Sequence, residues 1–311
     1  MPTPLVSIVT PSYNQGQFIG ATLDSILSQD YPNLELIVMD GGSTDNTVDV
    51  LKTYTDPRLS WVSERDNGQT HAINKGLARA KGEILAYLNS DDVYMPNMIA
   101  FSVDYLEKHP DIGAVYGDNY LIDAEGNTLS LRRSFPFPQS LKEVRISQPS
   151  LFWRKSVTDK IGLFDERFHY TMDTEYWWRM AINGFQLAYV EGGRAGYRLH
   201  GTSKTVSQEK GFIRDHHLLY EIIYSQKNLP QYLLDIKPHM EEYILWKETK
   251  QQWLAGEYTQ ARPLLRKFLT GTKNSRRILA VTMLIDSYLK TPITNTIDNL
   301  YFRSTGAHFV K

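Results

Sequence analysis

The first hundred residues alternate between two hydrophobic periods. Leu5–Thr10, Leu34–Asp40, Leu59–Glu64 and Glu83–Asn89 are short, mostly apolar and rich in β-branched side chains, the pattern of strands buried on both faces. Between them, Gln17–Gln29, Thr44–Tyr54 and Thr70–Ala80 place apolar residues at helical spacing, and Ser43, Thr44 or Asp45 stands where the second helix would be capped. Strand–helix alternation with short connections predicts an α/β fold, a mostly parallel central sheet flanked by helices. From residue 111 the texture changes. Ile112–Asp123 and Gly126–Ser134 read as strands joined by a turn at Asp123–Asn127, and Phe168–Gly184 reads as a helix stopped by Gly184. Phe185–Gly192 and Gly192–His200 read as two further strands. From about Phe212 the pattern is helical, punctuated by Pro230, Pro238, Gly271 and Pro292, so a boundary is expected near 205–212.

Spacing adds chemistry to this pattern. Asp40, Asp66 and Asp92 are 26 residues apart, and Tyr13 precedes Asp40 by 27. Each follows or ends a predicted strand, so four successive strands deliver a polar or aromatic group to one carboxyl edge, where open α/β sheets bind ligands. Any one of these aspartates alone reads as a loop or cap residue; the repetition favours a shared ligand. The loop after the first strand, TPSYNQGQF, contains neither G-x-G-x-x-G nor G-x-x-x-x-G-K-[ST], which disfavours a dinucleotide or P-loop phosphate cradle. It offers Thr10, Tyr13 and Asn14 instead. Tyr13 could stack on a flat base and Asp40 could accept an imino N–H, which suits uracil or guanine.

Asp91 and Asp92 are adjacent at the end of the fourth predicted strand. In extended backbone their side chains diverge, so one carboxylate could meet a ribose hydroxyl while the other binds a divalent cation. A hard cation such as Mg²⁺ or Mn²⁺ takes oxygen ligands, and it would offset the repulsion between the two carboxylates.

Composition narrows the field. The chain has 311 residues, 41% apolar and 22% charged, enough for one large domain plus an appendage. A net charge of −1 gives no electrostatic case for nucleic acid. There is no cysteine, hence no disulfide, thiolate metal site or cysteine nucleophile. No secretory signal is expected in MPTPLVSIVT, and no apolar run reaches the length of a membrane span; the expected location is cytoplasmic, with peripheral contact at the inner membrane face.

VSIVTPSYNQ, VMDGGSTDNT, ERDNGQTHAINKG and LNSDD, in this order and spacing, resemble the family 2 glycosyltransferases of the GT-A fold over roughly residues 4–205. The resemblance implies transfer of a sugar, with inversion, from a nucleotide-diphosphate donor (a UDP-sugar first) to a carbohydrate or lipid-linked acceptor, usually with Mn²⁺ or Mg²⁺. It implies a nucleobase site at Thr10, Pro11, Tyr13, Asp40 and Asp66, with Asp91 at the ribose and Asp92 on the metal. It divides the chain into a GT-A domain, 1–210, and a mostly helical extension, 211–311. Within the domain, 1–110 would bind the nucleotide sugar and 111–210 the acceptor. Many members carry an arginine in G-x-x-x-A-R-N-x-G, near the diphosphate; here Ile73 replaces it. Lys75, His71 or a later basic residue would then supply the charge.

In the second half, the resemblance marks Asp173, at the start of the Trp-rich helix, as the general base, with Met172 where members usually have Glu. An N-cap role is the alternative, and Glu175 is the reserve base. Arg198 and His200, followed by Ser and Thr, would serve the diphosphate and the metal in a segment that closes over the donor. Gln148 belongs to a stretch, Ile146–Ser156, that the resemblance places near the acceptor; Phe152 and Trp153 in it read either as sugar-stacking rings or as core.

Trp253–Leu269 reads as two helices meeting near Gly256, weakly resembling one tetratricopeptide hairpin; without a second copy, no solenoid is expected. Residues 259–280 carry Arg262, Arg266, Lys267, Lys273, Arg276 and Arg277 and no acid. That helix is either a solvated basic face or a contact for an anionic membrane. Two rival readings of the whole chain are a sugar-nucleotide pyrophosphorylase and a catalytically degenerate GT-A module.

Overall fold

The computed structural model describes residues 3–142, 146–201, 209–271, 276–289 and 294. The chain forms two compact units, Met1–Ser207 and Gln208–Lys311. In the first, the apolar runs become β1 (Val6–Ser12), β2 (Leu34–Asp40), β3 (Leu59–Ser63) and β4 (Ile84–Tyr87), with α1 (Ile19–Leu27), α2 (Thr47–Lys52) and α3 (Gln69–Leu77) between them. These strands are parallel neighbours in the order β3-β2-β1-β4. Period-2 alternation sends their side chains to two cores. Val6, Ile8, Leu36, Val38, Ile84 and Ala86 pack with Ile19, Leu23 and Ile26 of α1, while Ile37 and Met39 pack on Ala72 of α3. The α3 face approaches so closely that a Cβ on Gly76 would lie 2.3 Å from Val9 Cγ1, a spacing only glycine permits.

Beyond β4 follow β5 (Val93–Tyr94), α4 (Met98–Lys108), β6 (Ile112–Ile122), β7 (Thr128–Arg132), α5 (Gln139–Lys142), β8 (Phe152–Arg154), α6 (Lys155–Ile161), α7 (Met172–Ile182) and β9 (Gln186–Arg198). β8 lies antiparallel between β4 and β6, β6 is parallel to β9, and β5 and β7 run antiparallel to β9 and β6 respectively. The sheet is therefore parallel from β3 to β4 and mixed beyond it. The two strands expected at 185–192 and 192–200 are one strand, β9. Gly192 adopts φ +116° where the β6–β9 register shifts, and its N–H is taken by the buried Asp118 carboxylate at 3.0 Å. The glycine pair thus absorbs a bulge instead of ending the strand. Phe152, Trp153 and Trp178 are at most 1% exposed, so these rings are core, not sugar platforms.

The second unit contains α8 (Glu209–Tyr224), α9 (Gln231–Leu254), α10 (Tyr258–Gly271) and α11 (Arg276–Leu289). α9 and α10 meet at Gly256, φ +74°, and Trp246, Trp253, Leu265, Phe268 and Met283 form the core. The basic stretch is partly used within this unit. Arg262 donates to the Ser287 carbonyl and lies 3.9 Å from the Tyr288 ring centroid, and Arg266 donates to the Tyr288 hydroxyl at 2.7 Å. Lys273 and the Ser and Thr after His200 lie outside the described residues. No described helix is long and apolar enough to cross a membrane.

Candidate active site

Parallel pairing puts the ends of β1, β2 and β3 side by side, with Ser12, Asp40 and Ser63 in register. Tyr13, just beyond β1, is exposed. Asn14, at φ +52°, accepts the Thr44 N–H with its amide oxygen. Thr10 and Pro11 are buried beneath, and Thr10 Oγ1 has no hydrogen-bond partner among the described residues.

Asp40 is buried, and its carboxylate accepts four bonds: the N–H groups of Gly42 (3.2 Å) and Ser43 (2.9 Å), and the hydroxyls of Ser43 and Ser63 (2.5 Å each). Those donors fill the acceptor capacity of a carboxylate, so a nucleobase imino group must displace a serine to reach it. Asp66 is held differently. It accepts the Gly68 N–H at 2.8 Å, and a Cβ on Gly41 would lie 2.7 Å from its Oδ2. The loop after β2 thus passes directly against this carboxylate.

Asp91 and Asp92 diverge. Asp92 is 1% exposed; it accepts the backbone N–H of Arg198 at 2.9 Å and the Asn89 amide at 3.3 Å. Burial, and then the charge of Asp91, push its carboxyl well above the usual range. Asp91 is half-buried, and its Oδ2 lies 3.0 Å from His200 Nε2, whose ring leans on Phe18 at 4.5 Å. His200 is thus held against Asp91, next to Asp92, the residue with which it was expected to share a metal. Among the described residues, no three His, Cys, Asp or Glu side chains form a metal cage. Two carboxylates are nonetheless the donor type a hard divalent cation takes, and Asp92, pushed up by burial and then by its neighbour's charge, is the carboxylate a cation would relieve.

The four charge and acceptor candidates are held in place by protein groups. Arg198 is buried, and its guanidinium donates to the carbonyls of Asp91 (2.7 Å), Asp123 (3.0 Å) and Ala124 (2.9 Å); it is a strut between two loops. Lys75 pairs with Glu64. Glu175 is buried and forms a two-pronged pair with Arg179, at 2.8 and 2.7 Å, facing inward. Gln148 donates to the Tyr87 carbonyl at 2.8 Å and accepts from Asn89 at 3.3 Å. Ile73 is fully buried, which places that position of α3 in the core. Asn74 beside it clamps Phe164, donating to its carbonyl and accepting its N–H at 2.9 and 3.0 Å.

The same chain matches the family model of glycosyl transferase family 2 over residues 7–182. The chain belongs to this glycosyltransferase family. It is 33% identical over 193 residues to an uncharacterized glycosyltransferase of Rickettsia typhi, a match covering 57% of this chain and 58% of that relative. The chain thus spans less than two thirds of that relative's length. Its fold resembles that of S. aureus TarS in complex with UDP-GlcNAc (TM-score 0.64, 17% identity, 91% of this chain and 89% of that one). It also resembles that of the mannosyltransferase PcManGT of Pyrobaculum calidifontis in complex with GDP-Man and Mn²⁺ (TM-score 0.62, 21% identity, 94% and 82%). The fold is GT-A, and the pyrophosphorylase reading is set aside.

In this member of the family, Asp173 lies in the first turn of α7 and is half-buried. It accepts the Thr174 N–H at 2.6 Å and the Thr174 hydroxyl at 3.3 Å. Burial outweighs these donors and pushes its carboxyl up to about 6. The Tyr87 hydroxyl is pushed up first by burial and then by the charges of Asp173 and Asp92. Sequence reasoning missed Asn89, which accepts from Gln69 at 2.6 Å and donates to Asp92 and Gln148. Its position in LNSDD was visible, but Gln69 and Gln148 come from two distant segments that no spacing reveals.

Proposed function

We propose that this glycosyltransferase moves a sugar, with inversion, from a nucleotide-diphosphate donor to an acceptor hydroxyl of a carbohydrate or lipid-linked glycan. UDP-sugars are the first choice and GDP-sugars the second. The observation that carries this reading is Asp173: a half-buried carboxylate in the first turn of α7, pushed up by burial to about 6. An in-line displacement needs a base opposite the leaving group, with a pKa near the working pH.

Asp173 takes the proton of the acceptor hydroxyl at its carboxylate, and Thr174 fixes its orientation. Tyr13 stacks on the base above Thr10 and Pro11, Asp66 meets its polar edge, and the four donors on Asp40 shape the loop beside it. Asp91 serves the ribose. Asp91, Asp92 and His200 would hold Mn²⁺ or Mg²⁺, which when bound offsets the charge gathering on the diphosphate. The Mn²⁺ and GDP-Man of PcManGT and the UDP-GlcNAc of TarS support a nucleotide-sugar donor. Residues 1–110 form the donor half and 111–210 the acceptor half, with 211–311 as a helical extension.

A panel of UDP-, GDP- and dTDP-sugars, tested for binding and hydrolysis with Mn²⁺, decides the donor; selective binding of a dTDP-sugar rejects both choices. Asp92→Ala is expected to abolish the metal-dependent part of nucleotide binding in calorimetry with and without Mn²⁺.

A further inference from the structure

In the second unit, the two sides of α11 are both apolar. One side turns Leu279, Ala280 and Met283 inward onto Trp246, Trp253, Leu265 and Phe268. The other carries Ile278, Val281, Ile285, Tyr288 and Leu289, all exposed, with Ile278 at 67% and Leu289 at 65%. Steps of three, four and three residues from Ile278 to Tyr288 set them in one stripe along the helix, about 16 Å long. Five of the eleven large apolar side chains exposed among the described residues stand on this helix of fourteen residues. Scattered exposed apolar residues are ordinary, whereas a contiguous patch marks a contact surface.

Positive charge stands at both ends of the stripe. Arg262 lies 3.9 Å from the Tyr288 ring centroid and donates to the Ser287 carbonyl, and Arg266 donates to the Tyr288 hydroxyl at 2.7 Å. These partners are neutral. At the other end, the exposed Arg277 precedes Ile278. Across Tyr258–Leu289 the sequence has a single acid, Asp286; it is 2% exposed and accepts the Thr294 N–H at 2.7 Å. No carboxylate of α10 or α11 is therefore at the surface to offset these arginines. Lys267 instead lines a cleft with Glu241, Glu242 and Glu248.

This charge pattern selects the occupant. A two-fold contact sets the same patch against itself, so a second copy would oppose arginine to arginine with no acid on either helix to pair them. An anionic lipid surface takes both components of the face. Apolar side chains enter the boundary between headgroups and acyl chains, and guanidiniums at the rim reach the phosphates. Tyr288, an apolar ring with a polar tip, suits the same depth.

We infer that α11 is a membrane-docking helix, its stripe from Ile278 to Leu289 seated on an anionic lipid surface with Arg262, Arg266 and Arg277 at the rim. The basic stretch of 259–280 alone points to α10; the exposure pattern moves the apolar contact to α11 and leaves the α10 arginines as its flank. The assignment is independent of the donor reading above.

Sedimentation of the full chain with vesicles tests it, one set of phosphatidylcholine alone and one of phosphatidylcholine and phosphatidylglycerol in equal parts. The wild type is expected to bind the anionic set about tenfold or more tightly than the neutral one, and to be released as salt rises. Ile278→Glu combined with Ile285→Glu, both at exposed positions, should weaken that binding about tenfold or more, and Arg277→Gln about fivefold. A wild type that binds no anionic vesicle overturns the assignment, since the face is then covered within the chain or by a protein. Equal binding by wild type and the double variant overturns it too, because the lipid contact then lies elsewhere. So does a wild-type dimer, read by light scattering, that the double variant loses. Should the double variant fail to fold by thermal unfolding, Arg277→Gln decides alone, and wild-type affinity in it rejects the docking face.

Discussion

The cradle behind β2 and the first turn of α7 both hold carboxylates, yet they treat them in opposite ways. Asp40 is surrounded by two N–H groups and two hydroxyls. Asp173 has the N–H and hydroxyl of one threonine, and burial pushes it up to about 6. Both sit where an element meets a loop, and both stand out equally in the sequence. A carboxylate supplied with all its donors organises backbone; one left short of donors in a buried place can exchange a proton near neutral pH.

The sharpest way to break this contrast is Asp173→Asn. It keeps the shape, and its expected effect is a loss of transfer of about 10²–10⁴-fold with nucleotide binding retained, read by steady-state kinetics beside calorimetry. Full transfer by the variant removes the base assignment and, with it, the contrast. Asp40→Ala makes the complementary case. Stranding its four donors is expected to cost about 2–4 kcal/mol of stability, measured by urea unfolding; a variant as stable as wild type but unable to bind nucleotide would move Asp40 from scaffold to ligand.

The pH profile sharpens the comparison further. The base must be ionised, so kcat/KM should fall about tenfold per pH unit below about 6, and this acid limb should be absent from nucleotide binding by the Asp173→Asn protein. The smallest effect concerns stability. A carboxyl raised in the folded state favours its neutral form, so its contribution is fully present below the unfolded value. It is lost as pH rises from about 4 through about 6. Asp173→Asn should therefore be more stable than wild type at pH 8, by about 1–2 kcal/mol, and little different at pH 4, as thermal unfolding would show.

How much of this was legible depended on range. β2 was read at its observed bounds and β1, β3 and β4 to within two residues: β1, β2 and β4 are almost wholly buried, and even the half-exposed edge strand β3 keeps a short β-branched and aromatic run. The parallel order followed from alternation alone. β5 and β8, of two and three residues, carry no periodic signal and exist because β9, β4 and β6 supply their partners. β9 was split in two because a glycine pair looks the same whether it ends a strand or bulges it; only Asp118, far earlier in the chain, distinguishes the two. At the site, residue types were readable and partners were not. Nothing local distinguishes an arginine that will hold three carbonyls, Arg198, from one that will clasp a buried carboxylate, Arg179.

Arg198 carries one more consequence. Its backbone N–H holds Asp92, its Nε holds the Asp91 carbonyl, and its terminal nitrogen holds Asp123 and Ala124 in the β6–β7 turn. That turn is exposed and would ordinarily be a safe place for insertions, tags or grafted loops. Here it is mechanically geared to the two adjacent aspartates. Anyone remodelling the hairpin would also be moving the two aspartates to which we assign the donor and its cation, unless the carbonyls that seat this arginine are rebuilt along with it.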